Sequence, residues 1–124
     1  KYGNVVFGGT QRGTDKFRSY AVSDMFILPS KSEGLPMTVL EAWSVGCPVM
    51  MTRACNLPDG FESKAAIEIP EDAEGICDAL IAWQSIDNAT IQTMRANGHK
   101  IHAHHYGPTI AADLAIELRR VSRG

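Results

Sequence analysis

A chain of 124 residues has room for one domain and a sizeable core, and its 44% hydrophobic and 21% charged residues are ordinary for a globular protein. The formal net charge of −2, with no Lys/Arg cluster interleaved with aromatics, argues against nucleic acid as a partner. No apolar run approaches the length of a membrane helix. No signal peptide opens the chain, so a cytoplasmic location is expected.

Asn4-Val5-Val6-Phe7 reads as a buried strand, closed by the turn residues Gly8-Gly9. The glycine pair lacks the GxGxxG spacing and the Walker lysine, so it is punctuation rather than a phosphate loop. Thr14 and Asp15 suit the cap of a short helix whose Phe17, Tyr20 and Ala21 face a core. Met25-Phe26-Ile27-Leu28 follows as a second buried strand. It leads into Pro29-Ser30-Lys31-Ser32-Glu33-Gly34-Leu35-Pro36, a run of turn-forming residues.

Pro36 stands where a helix would begin, the position at which proline forfeits no hydrogen bond. Met37 to Val45 suit that helix, and Gly46 with Pro48 stops it. A strand, a glycine turn and a helix start make an anion site. The unpaired N–H groups of Met37, Thr38 and Val39, with the helix dipole, favour a phosphate there, and Gly34 lets the backbone lie close to it. The Thr38 hydroxyl could equally serve only to satisfy the first helical turn. Glu33, ahead of the helix, and Glu41, on its flank, would repel an anion directly but accept hydrogen bonds from vicinal hydroxyls. Phosphate in the middle with hydroxyl-rich groups at both ends is the shape of a nucleotide sugar.

Pro48-Val49-Met50-Met51 is the next strand, and the loop Thr52 to Gly60 leaves its C-terminal end, the ligand side of an open parallel sheet. Arg53 in that loop reads as a solvated surface arginine that could otherwise neutralise phosphate. Pro58-Asp59-Gly60 reads as a turn, and Ala66-Ile67-Glu68-Ile69 as a strand closed by Pro70. Beyond Asp72, Ala73, Ile76, Cys77, Leu80 and Trp83 recur at helical spacing as one apolar face. Asp87 or Asn88 caps a further helix towards His105, and Pro108 starts another that ends on Arg119-Arg120. His99, His102, His104 and His105 have helical spacing but no acid or cysteine among them, so an exposed cluster is expected and no metal. Cys47, Cys55 and Cys77 show no CxxC spacing and read as reduced thiols, Cys47 packed at a helix-to-strand turn. Strands alternating with helices argue an α/β fold, a Rossmann-like parallel sheet with flanking helices.

Pro29-Ser30, then Glu33-Gly34-Leu35-Pro36 and Glu41-Ala42, then Gly46-Cys47-Pro48-Val49 resemble the donor-binding signature of retaining GT-B fold glycosyltransferases of family 4. Ala21-Val22-Ser23-Asp24 is similar to that family's A-x-x-D helix end. The resemblance implies that Glu33 is the catalytic contact to the transferred sugar and that Glu41 holds the ribose hydroxyls. It implies a donor site built from Glu33, Gly34, Leu35, Pro36, Met37, Thr38, Val39 and Glu41, taking a UDP-, GDP- or ADP-sugar and using no metal or other cofactor. The acceptor, a saccharide or a lipid, would be held by an N-terminal domain that this stretch does not include. Residues 1–124 would then be the later part of the C-terminal half of the GT-B fold, without the first strands and their diphosphate-clamping Arg and Lys. Neither Arg12 nor Lys16 stands in the context of that pair. Three expectations follow: no catalysis by the chain alone, self-association through an exposed strand edge, and peripheral attachment at the inner membrane face only through absent segments. The alternative is a non-catalytic nucleotide-binding or interaction module of flavodoxin-like α/β form, because fold does not fix function. A sugar-phosphate isomerase of similar architecture fits the motif less well.

Overall fold

Three short apolar runs build one parallel sheet in a computed structural model that describes residues 3–32 and 34–105. The strands β1 (Phe26–Leu28), β2 (Val49–Met51) and β3 (Ala66–Glu68) lie in the order β1-β2-β3. Phe26 pairs with Val49 and Val49 with Ala66, a register carried on to Leu28, Met51 and Glu68. β2 is central and buried at all three residues, which is why it reads as an unbroken apolar run instead of an alternating one. Helix α1 (Gly13–Val22) precedes β1, α2 (Met37–Ser44) connects β1 to β2, and α3 (Pro58–Glu62) connects β2 to β3. After the sheet come α4 (Ala73–Trp83) and α5 (Asn88–His105). The architecture is the expected Rossmann-like α/β layout.

The core gathers on α2. Val39, Leu40, Ala42 and Trp43 are all buried, with Val49 and Met51 of the sheet against them. Indole Nε1 of Trp43 donates to the Ala65 carbonyl at 3.3 Å. A Cβ on Gly60 of α3 would lie 2.8 Å from the ring, and one on Gly98 of α5 would also lie 2.8 Å from it. The ring therefore fills space that two glycines on two different helices leave open. At its other end α2 closes in a Schellman motif: Cys47 N–H bonds the Ala42 carbonyl at 2.9 Å and Gly46 N–H bonds Trp43 at 3.0 Å. Gly46 takes the left-handed φ of 73° that this motif requires.

Several local expectations change. Val5, Val6 and Phe7 join no strand among the described residues; Val6 is 86% and Phe7 95% exposed. An apolar run makes a strand only where a neighbour pairs its backbone, and among the described residues none does. Thr14 and Asp15 fall inside α1, whose N-cap is Arg12 without a side-chain bond. Pro58-Asp59-Gly60 is the first turn of α3 rather than a loop turn, since proline at the first helical position suits either. Asp87 caps α5, one of the two residues expected to, accepting from Thr90 N–H at 2.8 Å, and Asp72 caps α4, accepting from Gly75 N–H at 2.7 Å. The apolar stripe of α4 is only half covered, and none of its residues is fully buried. The helix expected from Pro108 lies outside the described residues.

The histidines are not a uniformly exposed cluster. His102 is 4% exposed, and the ring of His99 stands 2.6 Å from where a Cβ on Gly46 would be. Burial first, then the neighbouring charge of His99, holds His102 below the ordinary 6.5. The folded chain thus resists a proton that the unfolded chain accepts. Stability is unaffected by this group at neutral pH and falls as pH drops below 6.5. Urea denaturation at pH 7.5 and about 5.5 reads this directly, and the loss is expected to shrink in His102→Leu. In the same assay Trp43→Ala is expected to cost about 3–5 kcal/mol, since the two glycines cannot refill the vacated volume.

Candidate functional site

The C-terminal ends of β1 and β2 each feed a loop, and the two loops are tied together. Thr52, buried just beyond β2, donates through Oγ1 to the Ser30 carbonyl at 2.5 Å. Cys55 Sγ reaches the Leu28 carbonyl at 3.5 Å, and Asn56 Nδ2 reaches the Gly34 carbonyl at 3.5 Å. Asn56 adopts the left-handed conformation (φ 59°) that ends the 3-10 turn Arg53–Cys55, one of the few non-glycine residues that does so readily. Leu28, Ser30 and Gly34 are in this way tied to side chains of the segment that follows the neighbouring strand β2.

Of the residues expected there, Glu33 lies outside the described residues. Gly34 and Leu35 are exposed, and a side chain at Gly34 would meet nothing within 4 Å. Pro36 is buried as the N-cap of α2, with Met37 and Thr38 exposed after it. Val39 N–H is not free: it donates to the Pro36 carbonyl at 3.0 Å. That leaves Met37 and Thr38 ahead of the first intrahelical bond, so the anion-binding donors are two rather than three. The helix has no side-chain cap, and the hydroxyl of Thr38 does not serve as one.

Glu41 follows one turn further along α2. Its Oε2 is buried and lies 2.7 Å from Nζ of Lys16 on α1, the two side chains being 12% and 33% exposed. The contact is an ion pair without the alignment of a hydrogen bond. Beneath it Tyr20 stacks edge-on against Phe17 and Phe26, at centroid distances of 6.3 and 5.3 Å. Burial, then the charges of Glu41 and Cys47, push the Tyr20 hydroxyl up to about 12, so it stays protonated. Cys47 is pushed to about 11, chiefly by burial, against the opposing pull of Arg95. A thiol held there is no nucleophile at neutral pH, in keeping with a packing role.

Lys16 is the site residue that sequence reasoning set aside. One signal was present: it stands four before Tyr20, and so shares the helical face that Tyr20 turns to the core. Arg53 is exposed as expected, but it is engaged by Glu68 Oε1 at 3.0 Å and lies over the Phe61 ring at 5.2 Å. An exposed pair of this kind contributes little stability. Among the described residues no group of His, Cys, Asp or Glu is arranged to hold a metal. None of their helices is long and apolar enough to cross a membrane. Two surface grooves of about 310 and 270 Å³ run along α5, and no residue of the site lines either.

The family model described as glycosyl transferases group 1 matches residues 1–85. The chain is 46% identical to a sulfoquinovosyl transferase of Arabidopsis thaliana over 71 residues, covering 57% of this chain and 12% of that protein. A lipopolysaccharide core biosynthesis glycosyltransferase of Rhizobium meliloti is 31% identical over 120 residues, 94% of this chain and 34% of its own length. An alpha-galactosylglucosyldiacylglycerol synthase of Streptococcus pneumoniae is 42% identical over 48 residues, 39% of this chain and 13% of its own. The chain thus spans between 12% and 34% of the length of these relatives.

Thr52→Val keeps the shape of the side chain and removes its hydroxyl. It is expected to cost about 1–2 kcal/mol in denaturant unfolding, because the Ser30 carbonyl loses its donor. Hydrogen exchange is expected to rise in residues 29–36 and 52–56, with α5 unchanged.

Proposed function

The chain belongs to the glycosyl transferases of group 1, and from that premise we propose that it is the donor-binding part of a longer enzyme that transfers a sugar from a nucleotide sugar. The observation that carries the reading is the start of α2. There Met37 and Thr38 present helix-terminal N–H groups beside the open face of Gly34, and Glu41 stands on the flank of the same helix. All of this lies at the C-terminal edge of a parallel sheet, where ligands of such folds sit. In this reading the diphosphate meets the helix start, Glu41 faces the ribose, and Glu33 orients the transferred sugar.

Transfer breaks the bond between the anomeric carbon and the diphosphate oxygen, and the electron pair leaves with the phosphate. The acceptor oxygen bonds the same face of the sugar, retaining configuration, and its proton passes to the departing phosphate oxygen. Charge develops on the leaving diphosphate, and fixed dipoles at a helix start stabilise such charge without reorganising. The acceptor is a saccharide or a lipid, in line with the names of the relatives, and a domain outside residues 1–124 holds it.

An NMR titration of the labelled chain with UDP-glucose, GDP-mannose and ADP-glucose tests the reading. One donor is expected to shift the resonances of Gly34 to Glu41 with millimolar affinity, about −4 kcal/mol. Glu41→Gln is expected to abolish those shifts. Shifts confined to other parts of the chain, or unaltered by Glu41→Gln, would sink it.

A further inference from the structure

The pairing of Glu41 changes what that carboxylate can offer a ligand. A free carboxylate grips two neighbouring hydroxyls with its two oxygens. Here Oε2 is buried and faces the Lys16 ammonium at 2.7 Å, so only Oε1 remains for an incoming group. Lys16 is not withdrawn with it. Its side chain is one-third exposed, its Nζ lies 5.6 Å from the centre of the Phe17 ring, and its contact with Oε2 lacks hydrogen-bond alignment. An ammonium carries three donors and no acceptor. An acceptor oxygen and a set of donors therefore stand side by side on the flank of α2, each held in place by the other.

Resting on the donor-site reading above, we infer that Lys16 and Glu41 form one recognition unit for the ribose diol of the nucleotide. Glu41 Oε1 accepts a hydrogen bond from one hydroxyl, and Lys16 donates to the oxygen of its neighbour. Lys16 is thus a specificity residue of this chain, and the diol is read as one donor plus one acceptor rather than as two donors. The unit has a physical advantage over a lone glutamate: the ammonium offsets the repulsion between Glu41 and a nearby diphosphate. It also fixes the carboxylate, because α1 and α2 are themselves packed through Tyr20.

The discriminating experiment compares a nucleoside diphosphate with its 2′-deoxy and 3′-deoxy forms on the wild-type chain, Lys16→Met, Lys16→Arg and Glu41→Gln. UDP, GDP and ADP are the probes, and NMR titration gives the dissociation constants. Wild type is expected to bind one ribonucleotide at least fivefold more tightly than one of its deoxy forms. Lys16→Met is expected to weaken that ribonucleotide at least fivefold and to bring this ratio close to one, while Lys16→Arg restores part of it. A merely structural ion pair would lower the melting temperature of Lys16→Met and leave the ratio as it was; that result overturns the inference. Binding lost in Glu41→Gln but unchanged in Lys16→Met overturns the lysine's role and leaves the donor site standing. Wild type silent towards all three ribonucleotides overturns both. Should Lys16→Met fail to fold, Lys16→Gln takes its place with the same outcomes.

Discussion

Everything about the site depends on where α2 lies, and the indole of Trp43 fixes that. The ring is held by a hydrogen bond to the Ala65 carbonyl just ahead of β3 and by van der Waals contact across Gly60 and Gly98. One side chain thus ties the helix to the far side of the sheet, to α3 and to α5. Because interiors are close-packed, a ring so enclosed leaves α2 little freedom to slide or rotate. The first turn of the helix and the flank carrying Glu41 are set by that anchor, although neither touches it.

Charge is distributed along α2 in the sense its dipole favours. At the C-terminal end Arg95 Nη1 donates to the Gly46 carbonyl at 3.0 Å, which sets a cation beside the end of the helix. At the N-terminal end no carboxylate stands among the described residues of the first turn. Glu41 sits further in, where Lys16 balances it. The side chains thus complement the C-terminal pole, and among the described residues none complements the other.

The sheet was readable because each strand is a short apolar run bounded by prolines, glycines or polar turns. Met25–Leu28, Pro48–Met51 and Ala66–Ile69 all became strands, and Gly46 stopped α2 for the reason its sequence position suggested. Asn4–Phe7 carries the same local signal and failed, because strand formation depends on a partner that local pattern does not reveal. Pro58-Asp59-Gly60 is ambiguous for a different reason: proline and aspartate favour a turn and a first helical turn alike. The exposed flank of α4 has the same origin as the strand error, since periodicity tells which residues share a face but not whether anything covers it. The face that Lys16 shares with Tyr20 was legible, but its pairing with Glu41 was not, for a geometric reason. Its partner is on another helix, and the two helices meet through the shared core that holds Tyr20 of α1 with Val39, Leu40, Ala42 and Trp43 of α2. The motif at Glu33 to Glu41 led to the family, which the match over residues 1–85 bears out.

The bond from Thr52 to Ser30 joins two loops that leave different strands, and with Asn56 on Gly34 it makes a small lattice of cross-braces. Loops braced in this way have surrendered their freedom already during folding. A molecule that settles between them does not have to organise the surface it meets. Its affinity then reflects the quality of the contacts, with little subtracted for the ordering of the receptor. Swapping residues 52–56 between relatives would therefore alter the reach of the Pro29–Pro36 loop, so variation in one loop is inherited as geometry in the other.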